Sequence, residues 1–229
     1  MGRTQRMRDV LIADDHPLFR DALTRAVHTA LPDAAVHGAD SVPALLALLE
    51  SRPDADLLLL DLHMPGARGF SALAHIRGQY PGLPVIVVSA HEEVAVLRRA
   101  LGHGAAGYIP KSAAVESIVD AINAVLGGDV WLPPRLGADA HGELKADEAE
   151  IAARVAELTP QQFRVLSMIA EGKLNKQIAF ELNVSEATVK AHMTAIMRKL
   201  GVSNRTQVAL LASHLTLEQI PPPALPDED

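Results

Sequence analysis

Several kinds of residue and segment are absent or scarce in this chain of 229 residues. It contains no cysteine, which excludes disulfide bonds and thiolate metal sites. Aromatic residues make up only 3% and hydrophobic residues 48%, so we expect aliphatic cores. No apolar run approaches the roughly 20 residues of a membrane-spanning helix, and the basic N-terminus lacks the apolar region of a signal peptide. These absences predict a soluble, cytoplasmic protein with no membrane partner.

The charge is unevenly distributed along the chain. A net charge of −7 argues against nucleic-acid binding over the whole surface. Residues 158–215, however, carry seven basic and three acidic side chains. A local excess of positive charge on an acidic chain predicts an anionic partner for that segment.

Short apolar segments alternate with amphipathic helical patterns over the first half of the chain. Alternation of this kind predicts a doubly wound α/β domain with a five-stranded parallel sheet, (βα)5, and all strand C-termini at one edge. The five predicted strands are Val10–Ala13, a short strand at Val36, Leu57–Leu60, Val85–Val88 and Gly107–Ile109.

We predict the following division of the chain. The α/β domain spans 8–127, and an acidic linker with Pro133-Pro134 spans 128–157 and includes a possible helix at Ala146–Ala156. An all-α domain of four helices follows at 158–215. Residues 216–229, rich in proline and acids, have the composition of a disordered tail.

Acidic residues follow two of the predicted strands. Asp14 and Asp15 end the first strand, and Asp61 ends the leucine run of the third. Clustered carboxylates without cysteine or histidine suit Mg²⁺ or Mn²⁺. A hydroxyl, Ser89, and an ammonium, Lys111, follow the next two strands, and such groups can neutralise a phosphoryl group. Taken singly, each side chain is more often a helix cap or a surface charge, so the prediction depends on their convergence.

These motifs resemble those of the response-regulator receiver domain, the CheY-like fold. The matching segments are Asp14-Asp15, Asp61 in Asp-Leu-His-Met-Pro-Gly, Ser89-Ala90 and Gly-Tyr-Ile-Pro-Lys ending at Lys111. One departure is that Ser112 follows Lys111, where many receivers have proline, and Pro110 precedes it instead.

The resemblance implies a role for each site residue. Asp61 would accept a phosphoryl group from a sensor histidine kinase. Asp15, Asp61 and the carbonyl of His63 would bind Mg²⁺ directly, and Asp14 would act largely through water. Lys111 would form an ion pair with the phosphoryl group. Ser89 would donate a hydrogen bond to it after activation, and Tyr108 would swing inward behind Ser89.

The last segment has the pattern of a helix-turn-helix. A predicted helix at Glu186–Leu200 has one apolar face and an opposite face of small and basic residues, which suits the major groove of DNA. A short turn, Asn183-Val184-Ser185, joins it to a preceding helix that starts at Asn175. The helical period alone leaves open a generic helical bundle with a solvated basic face.

Residues 158 to about 212 resemble a LuxR-type DNA-binding domain. The match includes Leu158-Thr159-Pro160, Asn175-Lys176-Gln177-Ile178-Ala179 and Thr188-Val189-Lys190-Ala191-His192. The resemblance implies that the fourth helix is a dimer contact. It places Lys190, Ala191 and Thr194 at base edges and assigns phosphate contacts to Asn175, Lys176, Thr188, Lys199 and Arg205. Gln162 stands where the family usually has an acid.

The two resemblances together indicate a NarL/FixJ-type response regulator. The prediction is a non-enzymatic, phosphorylation-controlled transcription regulator that dimerises on promoter DNA, with RNA polymerase as a possible further partner. Two alternatives remain, namely a DNA-binding regulator independent of phosphorylation and a phosphotransfer or adaptor protein. A Mg²⁺-dependent phosphohydrolase is disfavoured because no separate general acid or substrate pocket is visible.

Overall fold

The structure is a computed structural model that describes residues 7–137 and 146–215. Its N-terminal half contains the predicted parallel sheet, in the order β2-β1-β3-β6-β7. Each pairing between neighbours in this sheet is parallel, which confirms the predicted fold class. The strands are β1 Asp9–Ala13, β2 Ala35–Ala39, β3 Leu57–Asp61, β6 Val85–Ser89 and β7 Gly107–Pro110.

Helices cover both faces of this sheet because its strands are apolar on both sides. In β3, Leu57 and Leu59 join one buried cluster, and Leu58 and Leu60 join the other. Helices α1 and α5 pack on the first face, and α2, α3 and α4 pack on the second. Their bounds are α1 Pro17–Ala30, α2 Val42–Ser51, α3 Ser71–Gln79, α4 Val94–Gly102 and α5 Val115–Leu126.

A small hairpin after β3 was not predicted. Strands β4, His63–Met64, and β5, Ala67–Arg68, pair antiparallel around a Pro65-Gly66 turn. Gly66 has φ +96°, and a Cβ there would lie 2.6 Å from Pro43 Cδ. Only glycine satisfies both the left-handed backbone and the close approach. The hairpin holds the segment just after Asp61 against the start of α2.

The C-terminal half is helical, as predicted, and its helix starts follow the sequence signals. Thr159 caps the first of the four helices in the predicted all-α domain, 158–215, and Gln162 Oε1 accepts from the Thr159 N–H in a capping box. Gly201 ends the third in the left-handed conformation. The bounds are α6 Pro134–Gly137, α7 Ala146–Ala156, α8 Pro160–Ala170, α9 Asn175–Glu181, α10 Glu186–Leu200 and α11 Arg205–Ser213.

Helix α7, predicted as a possible helix in the linker, joins the two halves. Gly78 of α3 lies so close to Ala156 that a Cβ at residue 78 would be 2.3 Å from the alanine Cβ. His75 of α3 stacks on Phe163 of α8 with ring centroids 4.3 Å apart. The α/β domain and the helical domain therefore share a packed interface in this structure.

Two further predictions concern the ends of the chain and the membrane. The predicted disordered tail, 216–229, lies outside the described residues, as does part of the predicted linker, 138–145. Within the ranges that are described, no helix has the length and apolarity required to cross a bilayer.

Candidate functional site

The acidic residues converge at the C-terminal edge of the sheet because β1 and β3 are neighbours. Asp14 follows β1, and Asp61 is the last residue of β3. Both side chains are almost completely buried, whereas Asp15 is partly exposed. One ligand atom from each of Asp14, Asp15, His16 and Asp61 falls within a group whose members lie within 4.8 Å of one another.

Lys111 bridges the two buried carboxylates. Its Nζ is 2.8 Å from Asp14 Oδ2 and 2.8 Å from Asp61 Oδ2. The backbone holds the lysine at this edge, since Lys111 N–H donates to the carbonyl oxygen of Ser89 at 2.7 Å. Burial acts to lower the pKa of Lys111, but the bonds to Asp14 and Asp61 outweigh it, so the pKa is raised.

The pKa of Asp61 is shifted in the direction of the neutral acid. Burial raises the pKa of Asp61, and the hydrogen bonds from Lys111 and from the His63 N–H oppose this effect without cancelling it. The His63 N–H donates to Asp61 Oδ1 at 3.0 Å. The hydrogen bonds to Asp61 thus offset only part of the cost of burying its negative charge, so additional positive charge would favour the ionised form.

The donor set suits a hard dication. Three carboxylates in one group provide the oxygen ligands that Mg²⁺ and Mn²⁺ prefer. His16 adds one nitrogen, with Nδ1 2.8 Å from Asp15 Oδ1. Our sequence prediction omitted His16, although its position directly after the acidic pair was a usable signal. The predicted metal role of the His63 carbonyl stays a prediction.

A cavity of about 660 Å³ gives access to Asp61 and Lys111. His63 and His91 stand at its wall with their rings stacked, 5.3 Å between centroids. Phe19 lies beneath the ammonium of Lys111 at 5.0 Å. The remaining lining residues are His16, Leu18, Ala22 and Ala90. A phosphoryl donor can therefore reach the acidic group from one side.

Ser89 and Tyr108 lie behind this pocket and converge on one residue. Ser89 Oγ accepts from the His91 N–H at 3.2 Å, and Tyr108 Oη donates to the His91 carbonyl oxygen at 2.6 Å. The Tyr108 side chain is fully buried, and this burial raises its pKa. The predicted inward swing of Tyr108 stays a prediction, and in this structure the ring already lies inside.

The helix predicted to read DNA presents its predicted face to solvent. Lys190, Ala191 and Thr194 of α10 are all exposed. The opposite face is buried, as predicted, and consists of Val189, Met193, Ile196 and Leu200. Small side chains beside a lysine on this helix permit close approach to a groove.

The residues predicted to contact phosphates divide into two groups. Lys176 is exposed. Arg205 instead bonds to Asn175 Oδ1 at 3.0 Å and to the carbonyl oxygen of Lys173, and Lys199 Nζ donates to the Glu157 carbonyl oxygen at 2.7 Å. Thr188 takes part in the cap of α10 through Ser185. Several of these groups thus already hold the domain together.

Comparison with known proteins identifies two families along the chain. The response regulator receiver domain matches residues 10–123, and the luxR family of bacterial regulatory proteins matches residues 156–212. The glycerol metabolism activator of Pseudomonas putida is 39% identical over 213 residues, which cover 91% of this chain and 96% of that protein. The nitrate/nitrite response regulator NarL of Escherichia coli K12 is 34% identical over 203 residues, which cover 88% of this chain and 93% of that protein.

The solved structures that resemble this chain include RcsB from Salmonella enterica serovar Typhimurium bound to a promoter in the presence of the phosphomimetic BeF3⁻. It has a TM-score of 0.54 and 28% identity, and the match covers 91% of this chain and 99% of RcsB. The two family matches and the relatives that span both of them show that the chain belongs to the NarL/FixJ-type two-component response regulators, which are phosphorylation-controlled, DNA-binding transcription regulators with a receiver domain and a LuxR-type domain.

Proposed function

We propose that Asp61 is the phosphoacceptor and that its donor is the phosphohistidine of a sensor histidine kinase. A carboxylate oxygen of Asp61 attacks phosphorus, the phosphorus–nitrogen bond of the donor breaks, and its electron pair stays on the imidazole. The product is an acyl phosphate on Asp61. The observation that supports this assignment is the bridge from Lys111 to Asp61 at the base of an open cavity.

Asp14, Asp15 and Asp61, with His16 beside them, would hold the Mg²⁺ or Mn²⁺ ion. When bound, the dication supplies positive charge to the phosphoryl oxygens. Lys111 then pairs with the phosphoryl group, since its Nζ already lies 2.8 Å from an Asp61 oxygen. Asp14 keeps the lysine oriented from the other side at the same distance.

Ser89 and Tyr108 would report phosphorylation to helix α4. Ser89 Oγ accepts a hydrogen bond from the His91 N–H, and Tyr108 Oη donates one to the His91 carbonyl oxygen. If the Ser89 hydroxyl turns to the phosphoryl group, it releases the His91 N–H and so changes the position of the residue that Tyr108 also holds. His91 lies three residues before Val94, the first residue of α4. A change at the pocket therefore acts first on the start of this helix.

The helical domain would bind a two-fold promoter site as a dimer. Lys190, Ala191 and Thr194 would approach base edges, and Lys176 would contact phosphate. Helix α11 supplies the dimer contact, for which Leu210 is a candidate because 62% of its surface is exposed. Affinity for DNA should fall as salt rises, because phosphate contacts release counterions. RNA polymerase is a possible further partner of the bound dimer.

The test combines phosphorylation with DNA binding. The chain is treated with acetyl phosphate and Mg²⁺, and mass spectrometry locates the added phosphoryl group. Fluorescence anisotropy then measures affinity for promoter fragments selected from genomic DNA. We expect modification at Asp61 and a tenfold or larger increase in affinity, both absent in Asp61→Asn. Asp129→Asn, at an exposed aspartate outside the pocket, is the matched control and should behave as wild type.

Other outcomes favour the alternatives. A phosphoryl group on another residue contradicts the assignment of Asp61. Equal DNA affinity and promoter output for wild type and Asp61→Asn would indicate a regulator independent of phosphorylation. No sequence-selective complex at physiological salt, with the phosphorylated protein, would favour an adaptor.

A further inference from the structure

A buried ion cluster connects the receiver domain to the linker helix on the side of α4 away from the acidic pocket. Glu148 of α7 accepts from Arg99 Nε at 2.8 Å, and the same oxygen lies 2.8 Å from His103 Nε2. Arg99 lies in α4, and His103 is its C-cap. Glu148 is only 9% exposed and His103 only 6%, so these contacts form out of water.

The same receiver residues also hold the end of the DNA-binding domain. Arg99 Nη2 donates to the carbonyl oxygen of His214 at 3.0 Å, and the Phe70 N–H donates to that of Leu215 at 2.7 Å. The Phe70 ring contacts both the Arg99 guanidinium, 4.6 Å from its centroid, and the His103 ring, with centroids 5.0 Å apart. One compact group therefore fixes both α7 and the residues that follow α11.

Helix α4 links this cluster to the pocket. Its first residues follow His91, which Ser89 and Tyr108 engage, and its last turn carries Arg99. A helix only nine residues long can carry a shift at its start to its end as a rigid unit, because Val96, Leu97 and Ala100 anchor it in the core. The cluster is thus placed to respond to a change at Asp61.

The closed arrangement, in which Glu148 contacts α4, leaves the DNA-reading face uncovered. Lys190, Ala191 and Thr194 are exposed while the ion cluster is intact. The receiver instead restrains α7 and the end of α11. In this arrangement α10 can therefore reach DNA, while α11 is held by the receiver and cannot pair with a second copy.

We propose that Glu148 is an interdomain latch: its bonds to Arg99 and His103 hold the closed arrangement, and movement of α4 on phosphorylation breaks them and releases α11 for dimer pairing. This proposal rests on the proposed function, since it takes Asp61 phosphorylation as the trigger and α11 as the pairing helix. Loss of the carboxylate should open the protein without phosphorylation, because the Arg99 Nε–H and the His103 ring lose the oxygen that joins them to α7.

The test measures the distance between domains in the full chain. Because the chain has no cysteine, dyes can be attached to Arg25→Cys in α1 and Arg198→Cys in α10, both exposed positions. In the unphosphorylated protein, Glu148→Lys should lower the efficiency of Förster energy transfer between the two dyes to the value of phosphorylated wild type. Analytical ultracentrifugation should show at least tenfold tighter self-association, which Leu210→Glu should abolish. Glu150→Lys is the matched control, since Glu150 of the same helix is exposed and pairs with Arg154.

The outcomes separate the latch from the proposed function. If Glu148→Lys does not fold by circular dichroism, the milder Glu148→Gln is measured in its place. A folded Glu148 variant that keeps the transfer efficiency of unphosphorylated wild type overturns the latch, even if phosphorylation still strengthens DNA binding. A Glu148 variant that opens while phosphorylation of wild type has no effect on DNA binding supports the latch and contradicts the proposed trigger.

Discussion

Burial and hydrogen bonding shift the pKa values of two buried carboxylates in opposite directions. Asp61 lies beside Lys111 in the pocket, and Glu148 lies beside Arg99 and the His103 ring at the domain interface. Burial raises the pKa of Asp61, and its hydrogen bonds do not cancel that effect. Burial acts in the same direction on Glu148, but the bonds from His103 and Arg99 outweigh it, so the pKa of Glu148 is lowered.

The difference separates a reactive acid from a structural one. Glu148 has two donors to itself, whereas Asp61 shares one ammonium with Asp14. A shared counter-charge leaves room for a dication and for the oxygens of a phosphoryl group. A further ligand adds little to Glu148, whose two donors are in place, whereas removal of Glu148 takes from the Arg99 Nε–H and from His103 the oxygen that they share. Perturbed acids in a cleft are therefore functional candidates only when their compensation is incomplete.

The largest effect is expected from removing the shared cation. Lys111→Met leaves Asp14 and Asp61 buried beside each other without a counter-charge, which should lower the free energy of unfolding at pH 7 by about 4 kcal/mol. Saturating Mg²⁺ should restore part of the loss, because it binds the folded state only. Urea denaturation with and without Mg²⁺ measures both. His103→Gln, which leaves Arg99 beside Glu148, should lose less; equal stability of Lys111→Met and wild type without Mg²⁺ would contradict the comparison.

A smaller effect is expected from acidifying the interface at His75. Burial, with the ring stacked on Phe163, lowers the pKa of His75 from 6.5 to about 4, and the backbone of Val155 opposes this effect without cancelling it. The folded protein thus holds His75 neutral, whereas the unfolded chain takes up a proton below about pH 6.5. The contribution of neutral His75 to the free energy of unfolding is complete above about pH 6.5. It is lost as the pH falls from 6.5 towards about 4, which lowers the free energy of unfolding by about 3 kcal/mol.

The measurement is the free energy of unfolding from pH 7.5 to pH 4 for wild type and for His75→Phe. Subtracting the two curves removes the contributions that the carboxylates make to both proteins. We expect the difference to grow steadily below pH 6.5 as wild type is destabilised. Parallel curves would show that His75 does not remain neutral in the folded interface.

The fold was predictable because its elements follow short-range rules. The leucine run before Asp61 forms a central strand buried on both faces, and the helices predicted at Glu186–Leu200 and from Asn175 begin at those residues. The β4–β5 hairpin was missed because each strand has two residues, too few for a period to be visible.

The pocket was predictable where topology alone brings residues together. Parallel strands place Asp14, Asp61 and Lys111 at one edge of the sheet, so motif spacing was sufficient. The interface was not predictable, because Glu148 stands in an acidic run that resembles a solvated linker. His75 and His103 likewise lack a local signal, since burial of each depends on contact with the other domain.

The smallest change in stability is expected where the pocket and the interface are connected. Tyr108→Phe removes the hydrogen bond to the His91 carbonyl oxygen and should cost about 1 kcal/mol in the free energy of unfolding. Its effect on coupling should be larger, because the link from Ser89 through His91 to α4 loses one of its two hydrogen bonds. We expect phosphorylation of Asp61 by acetyl phosphate to continue in this variant, while phosphorylation-induced opening, measured by energy transfer between the domains, falls by at least half. If opening stays as complete as in wild type, the signal from Asp61 reaches the Glu148 cluster by a route that does not include Tyr108, and the Ser89–His91 hydrogen bond that remains is the first alternative to test.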